Sequence, residues 1–238
     1  MNNLTVATCF HKNSEINTVK RLKRSAEKYG YTFLEYDQRE NNQSALIGRK
    51  RLIEKCDTEY IWLVDADDSI EELDFIPTND IERLETSAHV PLSADVNENP
   101  CMWSRIVKTS VAKKAITQYP DMFALAAEDT LLAYWCEKLA TTSANHSNKI
   151  YYKYNASSSS CGLFYIQDPD VFIQVYSYPE VYNYLPPEHW DKRNRTIALS
   201  LAQCPNREYV RKILNSKIIN QDVLDEYKRL KDCFRYRR

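Results

Sequence analysis

The stretch YIWLVDADDSIEE, residues 60–72, changes from apolar to acidic within a few positions. Its first five residues suit a buried strand, because aromatic and β-branched side chains pack well on a pleated surface. Three carboxylates follow directly, at Asp65, Asp67 and Asp68. The pattern predicts a buried strand whose carboxyl end presents acidic groups to a ligand.

Strand and helix patterns alternate in the residues before this stretch. Residues 4–10 and 31–37 are rich in β-branched and apolar side chains, which predicts two strands. Apolar residues at helical spacing precede Gly30, where a helix C-terminus is expected, and a second helix is predicted over 45–56. This β-α-β-α-β order predicts an α/β fold with a mostly parallel sheet flanked by helices.

The pattern is weaker after the acidic stretch. Residues 90–96 predict another strand, and Asn99 with Pro100 favours the start of a helix or a turn. From Asp191 onward the chain has a helical pattern and ends in the basic segment YKRLKDCFRYRR. A further helix is predicted over 130–140, with an apolar face made by Leu131, Leu132, Trp135 and Leu139.

Composition excludes several classes of protein. The chain has 238 residues and a net charge of −1, so no overall attraction to nucleic acid or to an anionic membrane is expected. No apolar run approaches the roughly 20 residues that span a bilayer, and no signal peptide is recognisable. Seven cysteines without Cys-X-X-Cys spacing predict reduced thiols in a cytoplasmic protein rather than a zinc site. Three glycines cannot form a glycine-rich nucleotide-binding loop.

The acids after the buried strand have a definite chemical use. Ligands of parallel sheets bind beyond the carboxyl ends of the strands, where Thr8, Asp37 and Asp65 fall. Two carboxylates one residue apart, such as Asp65 and Asp67, can face one divalent cation. Oxygen ligands suit Mg²⁺ or Mn²⁺, and the cation can also hold a diphosphate.

A purely structural interpretation of the same acids is also open. Asp68 or Ser69 could cap a helix, since Ser69 and Glu72 form the Ser-x-x-Glu capping pattern. The position of the acids directly after a buried strand, within an α/β pattern, favours the metal interpretation.

The ordered set of these stretches resembles the inverting, nucleotide-sugar-dependent glycosyltransferases of the GT-A fold, in particular the large family 2. The resemblance covers residues 4–160. It includes a segment similar to the family's Gly-x-x-x-Ala-Arg-Asn helix. In this chain the residues Gly48, Arg49 and Lys50 occupy the positions of Ala-Arg-Asn, so that Arg49 is the residue that matches the family. The segments that carry it are LTVATCFHKN (4–13), FLEYD (33–37), NNQSALIGRKRLIEKCDTEYIWLVDADDSIEE (41–72), MWSRIVKTSVAKKA (102–115), AEDTLL (127–132) and YYKYNASSS (151–159).

The resemblance implies a metal site. Asp67 is the expected direct ligand of Mn²⁺ or Mg²⁺, and Asp65 is a further ligand or a ribose contact. Asn155 stands where many relatives have a histidine, and its side-chain oxygen is the expected third contact. His146 and His189 are alternatives for that contact, against the simpler interpretation that each is a surface or packing residue.

The resemblance also assigns the catalytic groups. Asp129 is the expected general base that removes the proton of the acceptor hydroxyl, with Glu128 as the second candidate. A carboxylate at a helix N-terminus is kept ionised and fixed in direction. The alternative is that Asp129 only caps the helix.

Besides Asp65, four residues are expected to contact the donor. Asp37 would accept a hydrogen bond from a uracil ring, and Thr8 would offer its backbone to the same base. Arg49 would pair with phosphate or with Asp37, and Trp103 would stack on a sugar. The alternatives are a turn acid for Asp37, an exposed helix arginine for Arg49 and a core tryptophan for Trp103.

These assignments predict three parts of the chain. Residues 1–97 form the nucleotide-sugar-binding half, residues 98–190 form the acceptor-binding and catalytic half of the same domain, and residues 191–238 form a helical, basic C-terminal extension. The expected reaction is the metal-dependent transfer, with inversion, of a hexosyl or pentosyl group from a nucleoside-diphosphate sugar, UDP-sugar first. The expected acceptor is a hydroxyl of a surface glycan or a lipid-linked sugar.

Two other functions stay open on the sequence. The basic C-terminal residues permit a phage-type enzyme that glycosylates a hydroxymethylated DNA base, although the neutral net charge disfavours DNA binding. A non-catalytic relative that binds sugar nucleotides or glycans is disfavoured by the acids. A cytoplasmic location is expected, with peripheral contact at the inner membrane face as an option and the host cytoplasm for a phage protein.

Overall fold

The chain divides into two units, Met1–Ser158 and Ser159–Arg238, in the computed structural model. The structure describes residues 3–10, 16–38, 44–88, 90–96, 98–122, 128–155, 179–204, 206–215, 219 and 221–235. The statements below concern these residues.

A mixed six-stranded sheet is the centre of the first unit. Its strands are β1 (Leu4–Phe10), β2 (Thr32–Asp37), β3 (Tyr60–Leu63), β5 (Ile81–Leu84), β6 (Arg105–Lys108) and β7 (Ser143–His146), while β4 (Ser69–Ile70) and β8 (Tyr152–Lys153) form a separate ribbon. The order of the sheet is β2-β1-β3-β6-β5-β7, in which β6 is antiparallel to both neighbours and the other pairs are parallel. Helices of this unit are α1 (Ile16–Lys28), α2 (Ala45–Lys55), α3 (Thr109–Ala115) and α4 (Glu128–Leu139). The predicted mostly parallel sheet flanked by helices is confirmed.

Strand β3 lies at the centre of the core, as the sequence predicts. All four of its residues are buried, and Trp62 is completely enclosed. The indole nitrogen of Trp62 donates a hydrogen bond to the carbonyl oxygen of Trp103 at 2.8 Å, so the polar atom of the largest core side chain is satisfied.

Two glycines allow the helices to fit this sheet. Gly30 ends α1 in a left-handed conformation with φ 73°, which explains why a residue without a Cβ stands there. Gly48 lies where α2 approaches β1, and a Cβ on it would lie 2.7 Å from Gln38 Nε2 and 2.9 Å from Cys9 Cβ. The missing side chain therefore brings α2 close to the carboxyl ends of β1 and β2.

The prediction of a strand over residues 90–96 is wrong. Those residues form no strand, and Ile81–Leu84 joins the sheet instead. The sequence IERL hides a fully buried strand because it contains two charged residues. Glu82 accepts hydrogen bonds from the backbone of Thr78 and Asn79, each at 2.8 Å, and Arg83 pairs with Glu137 at 2.7 Å.

Three local predictions can be compared with the structure. The helix cap proposed at Ser69 is wrong, because Ser69–Ile70 is a strand paired with Tyr152–Lys153. The turn expected after Asn99 and Pro100 is found as a 3₁₀ turn, Met102–Ser104, before β6 and α3. Helix α4 begins at Glu128 rather than at residue 130, and its buried residues are Leu131, Leu132, Ala133 and Cys136.

The described residues of the second unit, from residue 179 onward, are mainly helical, and those from 191 onward agree with the predicted helical C-terminal extension. It contains a 3₁₀ turn, Pro179–Tyr184, and the helices α5 (Pro187–Gln203), α6 (Arg207–Asn215) and α7 (Gln221–Arg235). Its core is formed by Ile197, Ala198, Leu201, Val210, Ile213, Val223 and Tyr227, among others. The division of the first 190 residues into two functional halves stays a prediction.

Two further findings bear on the sequence predictions. The cysteines described as free thiols are Cys9, Cys56, Cys101, Cys136 and Cys204. Within the described ranges, no helix has both the length and the apolar character that a membrane span requires.

Candidate active site

The acidic turn directly follows the buried strand β3. The backbone nitrogen of Val64 still donates to Ala7 at 2.9 Å, and that of Asp68 donates to Asp65 at 3.2 Å, closing a turn over the three acids. Asp65 and Asp67 are half-buried, whereas Asp68 is buried. Two of the three carboxylates, those of Asp65 and Asp67, are therefore partly accessible at the carboxyl end of β3.

Asp68 faces the protein and holds the turn in place. It accepts hydrogen bonds from the Tyr152 hydroxyl and, at 2.6 Å, from the backbone nitrogen of Asn155. Burial raises the pKa of the Asp68 carboxyl to about 7, although both hydrogen bonds oppose the shift. The Asn155 side chain also donates to the Asp67 carbonyl oxygen at 3.5 Å, so the predicted third ligand lies against the acidic turn.

Arg49 joins the acidic turn to the N-terminus of α4. Its guanidinium donates to Asp65 Oδ1 at 2.8 Å and to Glu128 Oε1 at 3.3 Å, and it forms an ion pair with Asp129 Oδ1. Only 8% of the Arg49 side chain is exposed. Burial by itself lowers the pKa of Arg49, but the Asp129, Asp65 and Glu128 carboxylates outweigh it and hold that pKa well above its usual range.

This contact corrects the sequence interpretation of Arg49. Arg49 is not an exposed helix arginine, because its guanidinium is enclosed by three carboxylates. Its described ion pairs are with Asp65, Glu128 and Asp129 rather than with Asp37. The structure thus brings together Arg49, Asp65 and the adjacent pair Glu128 and Asp129, which come from three separate segments of the sequence.

Negative charge exceeds positive charge in this cluster. Burial raises the pKa of Asp129 to about 8; Arg49 opposes the shift, and Asp65 and Glu128 add to it. Burial likewise raises the pKa of Asp65, again against Arg49. Burial sets the direction of both shifts, and the neighbouring carboxylates add to it, so the single Arg49 guanidinium does not restore the ordinary pKa of either acid.

The predicted base lies directly against Arg49. Asp129 Oδ1 is buried and forms its ion pair with the Arg49 guanidinium, and no further hydrogen bond to this oxygen is found among the residues that the structure describes. The prediction that a helix N-terminus simply keeps Asp129 ionised is therefore incomplete, because burial acts in the opposite direction.

The residues predicted to bind the nucleotide are arranged around the neighbouring strand ends. Asp37 ends β2, in register with Phe10 at the end of β1, and is half-buried. Thr8 lies two positions before the end of β1, where it is buried and its hydroxyl has no hydrogen-bond partner among the described residues. Because β2, β1 and β3 are adjacent and parallel, Asp37 and the acidic turn both lie at the carboxyl ends of these strands.

The aromatic and histidine candidates are packed in the protein. The ring of Trp103 is 6% exposed and stacks on Tyr152, with ring centroids 4.6 Å apart. This packing favours the core interpretation of Trp103. His146 bonds Glu82 at 2.8 Å and stacks on Phe75, so it is a packing residue rather than a substitute ligand. His189 is buried in the helical unit.

The donor atoms of the acidic turn fit a hard divalent cation. Asp65, Asp67 and Asn155 offer carboxylate and amide oxygens, which Mg²⁺ and Mn²⁺ prefer. Within the described ranges, no group of three or more His, Cys, Asp or Glu side chains is arranged to hold a metal ion. Sites that use few protein ligands and complete the coordination with water and substrate phosphate are typical of Mg²⁺.

The sequence analysis missed two functional contacts of α2. It did not connect Arg49 with the base, and it passed over Lys50, which is buried and pairs with Asp121 at 2.6 Å. Helical spacing could have found Lys50, because Leu46 and Ile53 lie on the same face and are both buried. A lysine on an apolar face needs an acidic or carbonyl partner.

Comparison with known proteins places the fold. No protein-family model matches the chain, and the comparison with curated proteins finds no match by sequence. The solved structure of residues 1–349 of S. aureus TarS is 15% identical, with a TM-score of 0.54, and the match covers 100% of this chain and 92% of that one.

Two complexes of the same protein give similar values. The TarS complex with UDP is 14% identical with a TM-score of 0.56, and the complex with UDP-GlcNAc is 15% identical with a TM-score of 0.57. At this identity the similarity establishes the fold. The cluster of Arg49 and the three acids lies at the carboxyl ends of the parallel strands. The chain therefore has the GT-A-type fold of glycosyltransferases.

Proposed function

We propose that this chain is a glycosyltransferase that moves a sugar from a nucleoside-diphosphate sugar, a UDP-sugar in the first instance, to a hydroxyl acceptor with inversion. The observation that carries the proposal is the contact of Arg49 with Asp65 on one side and with Glu128 and Asp129 on the other. It joins the donor-side acids to the candidate base in one cluster. The fold shared with a protein solved in complex with UDP-GlcNAc supports the class of donor.

The charge of the cluster supports a metal-dependent reaction. A diphosphate next to Asp65 and Asp67 would be repelled unless cations lie between the two groups, and Arg49 already has three carboxylate partners. Asp67, Asp65 and Asn155 would hold Mn²⁺ or Mg²⁺. When bound, the cation would stabilise the negative charge that develops on the departing diphosphate.

Asp129 would act as the general base. The acceptor oxygen attacks the anomeric carbon from the face opposite the diphosphate, so the new C–O bond forms as the bond to the phosphate oxygen breaks, and the hydroxyl proton moves to Asp129. The described partner of Asp129 Oδ1 is the Arg49 guanidinium, so the acceptor hydroxyl would approach the carboxylate beside this ion pair. A pKa raised to about 8 makes Asp129 a stronger base than an ordinary aspartate.

Arg49 would keep that base oriented. Proton transfer to Asp129 removes one negative charge from the cluster while the leaving group gains charge, so the local balance improves as the reaction proceeds. Glu128 shares Arg49 at 3.3 Å and stays the second candidate for the base.

A panel of nucleotide sugars, scored by nucleotide release with and without Mn²⁺, tests the proposal. We expect release from at least one UDP-sugar, stimulated by Mn²⁺ and by a hydroxyl acceptor. Asp129→Asn should lower transfer by about 10²–10⁴-fold, the usual contribution of a general base, and Glu128→Gln should lower it less.

Asp57 is exposed and precedes the amino end of β3, at the opposite end of the strand from the acidic turn. Its substitution Asp57→Asn is the matched control. That variant should transfer sugar at the normal rate. Binding of UDP without turnover of any donor would instead support a non-catalytic relative, and unimpaired transfer by Asp129→Asn would remove the base assignment.

A further inference from the structure

Helix α2 also binds the segment that leads to the candidate base. The Lys50 ammonium donates to the Tyr119 carbonyl oxygen at 3.2 Å and pairs with Asp121 Oδ1 at 2.6 Å. It lies 5.1 Å from the centre of the Tyr119 ring. Lys50 is 7% exposed, whereas the Asp121 side chain is 49% exposed, so a buried ammonium group reaches a partner at the protein surface.

Neighbouring residues of α2 contact this segment at two separated places. Arg49 binds Glu128 and Asp129 at the start of α4, and Lys50 binds residues 119 and 121. Close to the second place, the Ser44 hydroxyl donates to the Met122 carbonyl oxygen at 3.4 Å. The chain is therefore fixed to α2 both before and after residues 123–127.

Stability alone gives little reason for a lysine at this position. An ammonium group removed from water loses hydration, and its ion pair regains that energy only when the geometry is good. An apolar side chain of similar length would pack on the same helix face as Leu46 and Ile53. A role in placing the bound segment accounts for the lysine.

We propose that Lys50 is a positioning residue for Asp129. By holding residues 119–122, it would set where α4 begins and thus the distance of the Asp129 carboxylate from the acidic turn. The inference rests on the proposed function only for the consequence on transfer, since its structural part concerns how firmly the segment is held.

Steady-state kinetics of Lys50→Met tests the consequence. Methionine keeps the unbranched, flexible shape of the side chain, one atom shorter, but removes its charge and its donors. We expect kcat for sugar transfer to fall by about 10–100-fold, because small displacements of catalytic groups are costly. The KM for the donor and the affinity for UDP should change by less than about twofold, since residues of the acidic turn do not contact Lys50 directly.

Three other variants separate positioning from general damage. Lys50→Arg keeps the charge and should recover a large part of kcat. Arg51→Met is the matched control, because Arg51 contacts the same Asp121 at 3.3 Å from the exposed side of the helix, and it should leave kcat within about twofold. Asp121→Asn breaks the same ion pair by neutralising its other member, which is half-exposed. If Lys50→Met does not fold, the Asp121→Asn variant decides the question.

Hydrogen exchange gives a readout that does not need activity. In Lys50→Met, the amides of Tyr119, Asp121 and Met122 and of the first turn of α4 should exchange at least about tenfold faster, whereas those of β1 and β3 should not change. Unchanged exchange in that segment would overturn the inference, as would a loss of kcat matched by an equal loss of UDP affinity. If the unmodified protein transfers no sugar, the proposed function fails, and the exchange result still decides whether Lys50 fixes the segment.

Discussion

At the scale of single residues, the site depends on Arg49. Its guanidinium is the cation that Asp65, Glu128 and Asp129 share within the described part of the chain. Removal of one partner from a buried ionic cluster leaves charges without compensation, which is far more costly than the net contribution of the intact cluster. Arg49 therefore affects both the stability and the proposed chemistry.

Arg49→Met should destabilise the protein by about 3–5 kcal/mol near pH 8. Without Arg49, the carboxylates repel each other, so their pKa values in the folded state rise further above those in the unfolded state. Groups with raised folded-state pKa values lose stability as the pH increases, and the variant should therefore be less impaired at pH 5. Urea unfolding at both pH values measures this, with the exposed Arg24→Met as control. An equal loss at both pH values would contradict the charge explanation.

The raised pKa of Asp129 predicts the pH dependence of transfer. Only the ionised carboxylate can accept a proton, and burial raises its pKa to about 8. We expect kcat/KM to increase about tenfold per pH unit below this pKa and to level off above it. An ordinary aspartate, with a pKa of about 3.9, would give a flat profile from pH 6 upward. The residual activity of Asp129→Asn should lack the dependence.

At the scale of secondary structure elements, α2 and α4 form the framework of the site. Helix α4 is fixed at its N-terminus by Arg49 and near its C-terminus by Glu137, which pairs with Arg83 and Arg105, each at 2.7 Å. Helix α2 approaches β1 closely at Gly48, directly before Arg49. The position of the guanidinium thus depends on how closely one helix packs on one strand.

Gly48→Ala tests this dependence. Alanine is the better helix former by about 1 kcal/mol, but the new Cβ would lie 2.9 Å from Cys9 Cβ on a rigid strand. We expect a net loss of about 1–2 kcal/mol in the free energy of unfolding, because overpacking outweighs the gain, together with impaired transfer. Gly30→Ala is the control: its positive φ makes alanine costly by about 1 kcal/mol, yet transfer should be retained. A Gly48→Ala protein that is stable and fully active would refute the argument.

At the scale of the whole molecule, the sheet topology brings the acids together at the carboxyl ends of the parallel strands. The adjacent parallel strands β2, β1 and β3 place Asp37 and the acidic turn together, and α4 adds Glu128 and Asp129. The net charge of −1 is close to neutral, so the excess negative charge of the site is local. A cation and a nucleotide should accordingly bind cooperatively.

Cooperative binding predicts a stability effect. Mn²⁺ and UDP together should raise the free energy of unfolding by about 2.7 kcal/mol at a hundredfold excess over Kd, and each alone should do less than half of this. Thermal unfolding with and without EDTA measures the effect, and Asp67→Asn should abolish the joint gain. Equal stabilisation by UDP in the presence of EDTA would argue against the proposed metal ligands.

The sequence predicted the first half of the fold well and the second half less well. Residues 4–63 follow regular patterns of spacing, and each predicted element there is found. Strand β5 escaped detection because Glu82 and Arg83 are charged, and their partners His146 and Glu137 lie more than fifty residues away. Charged residues in a strand suggest exposure until such partners are known.

Sequence alone determined that acids end the buried strand β3 and begin the helix α4, because apolar periodicity and the residues that interrupt it are local properties of the chain. Only the tertiary structure decided what each acid does. It turned Asp68 inward to Tyr152, joined Asp65 to Glu128 and Asp129 through Arg49, and bound Lys50 to Asp121. Ion pairs depend on distance and on exclusion of water, and neither is defined until separate elements have packed together.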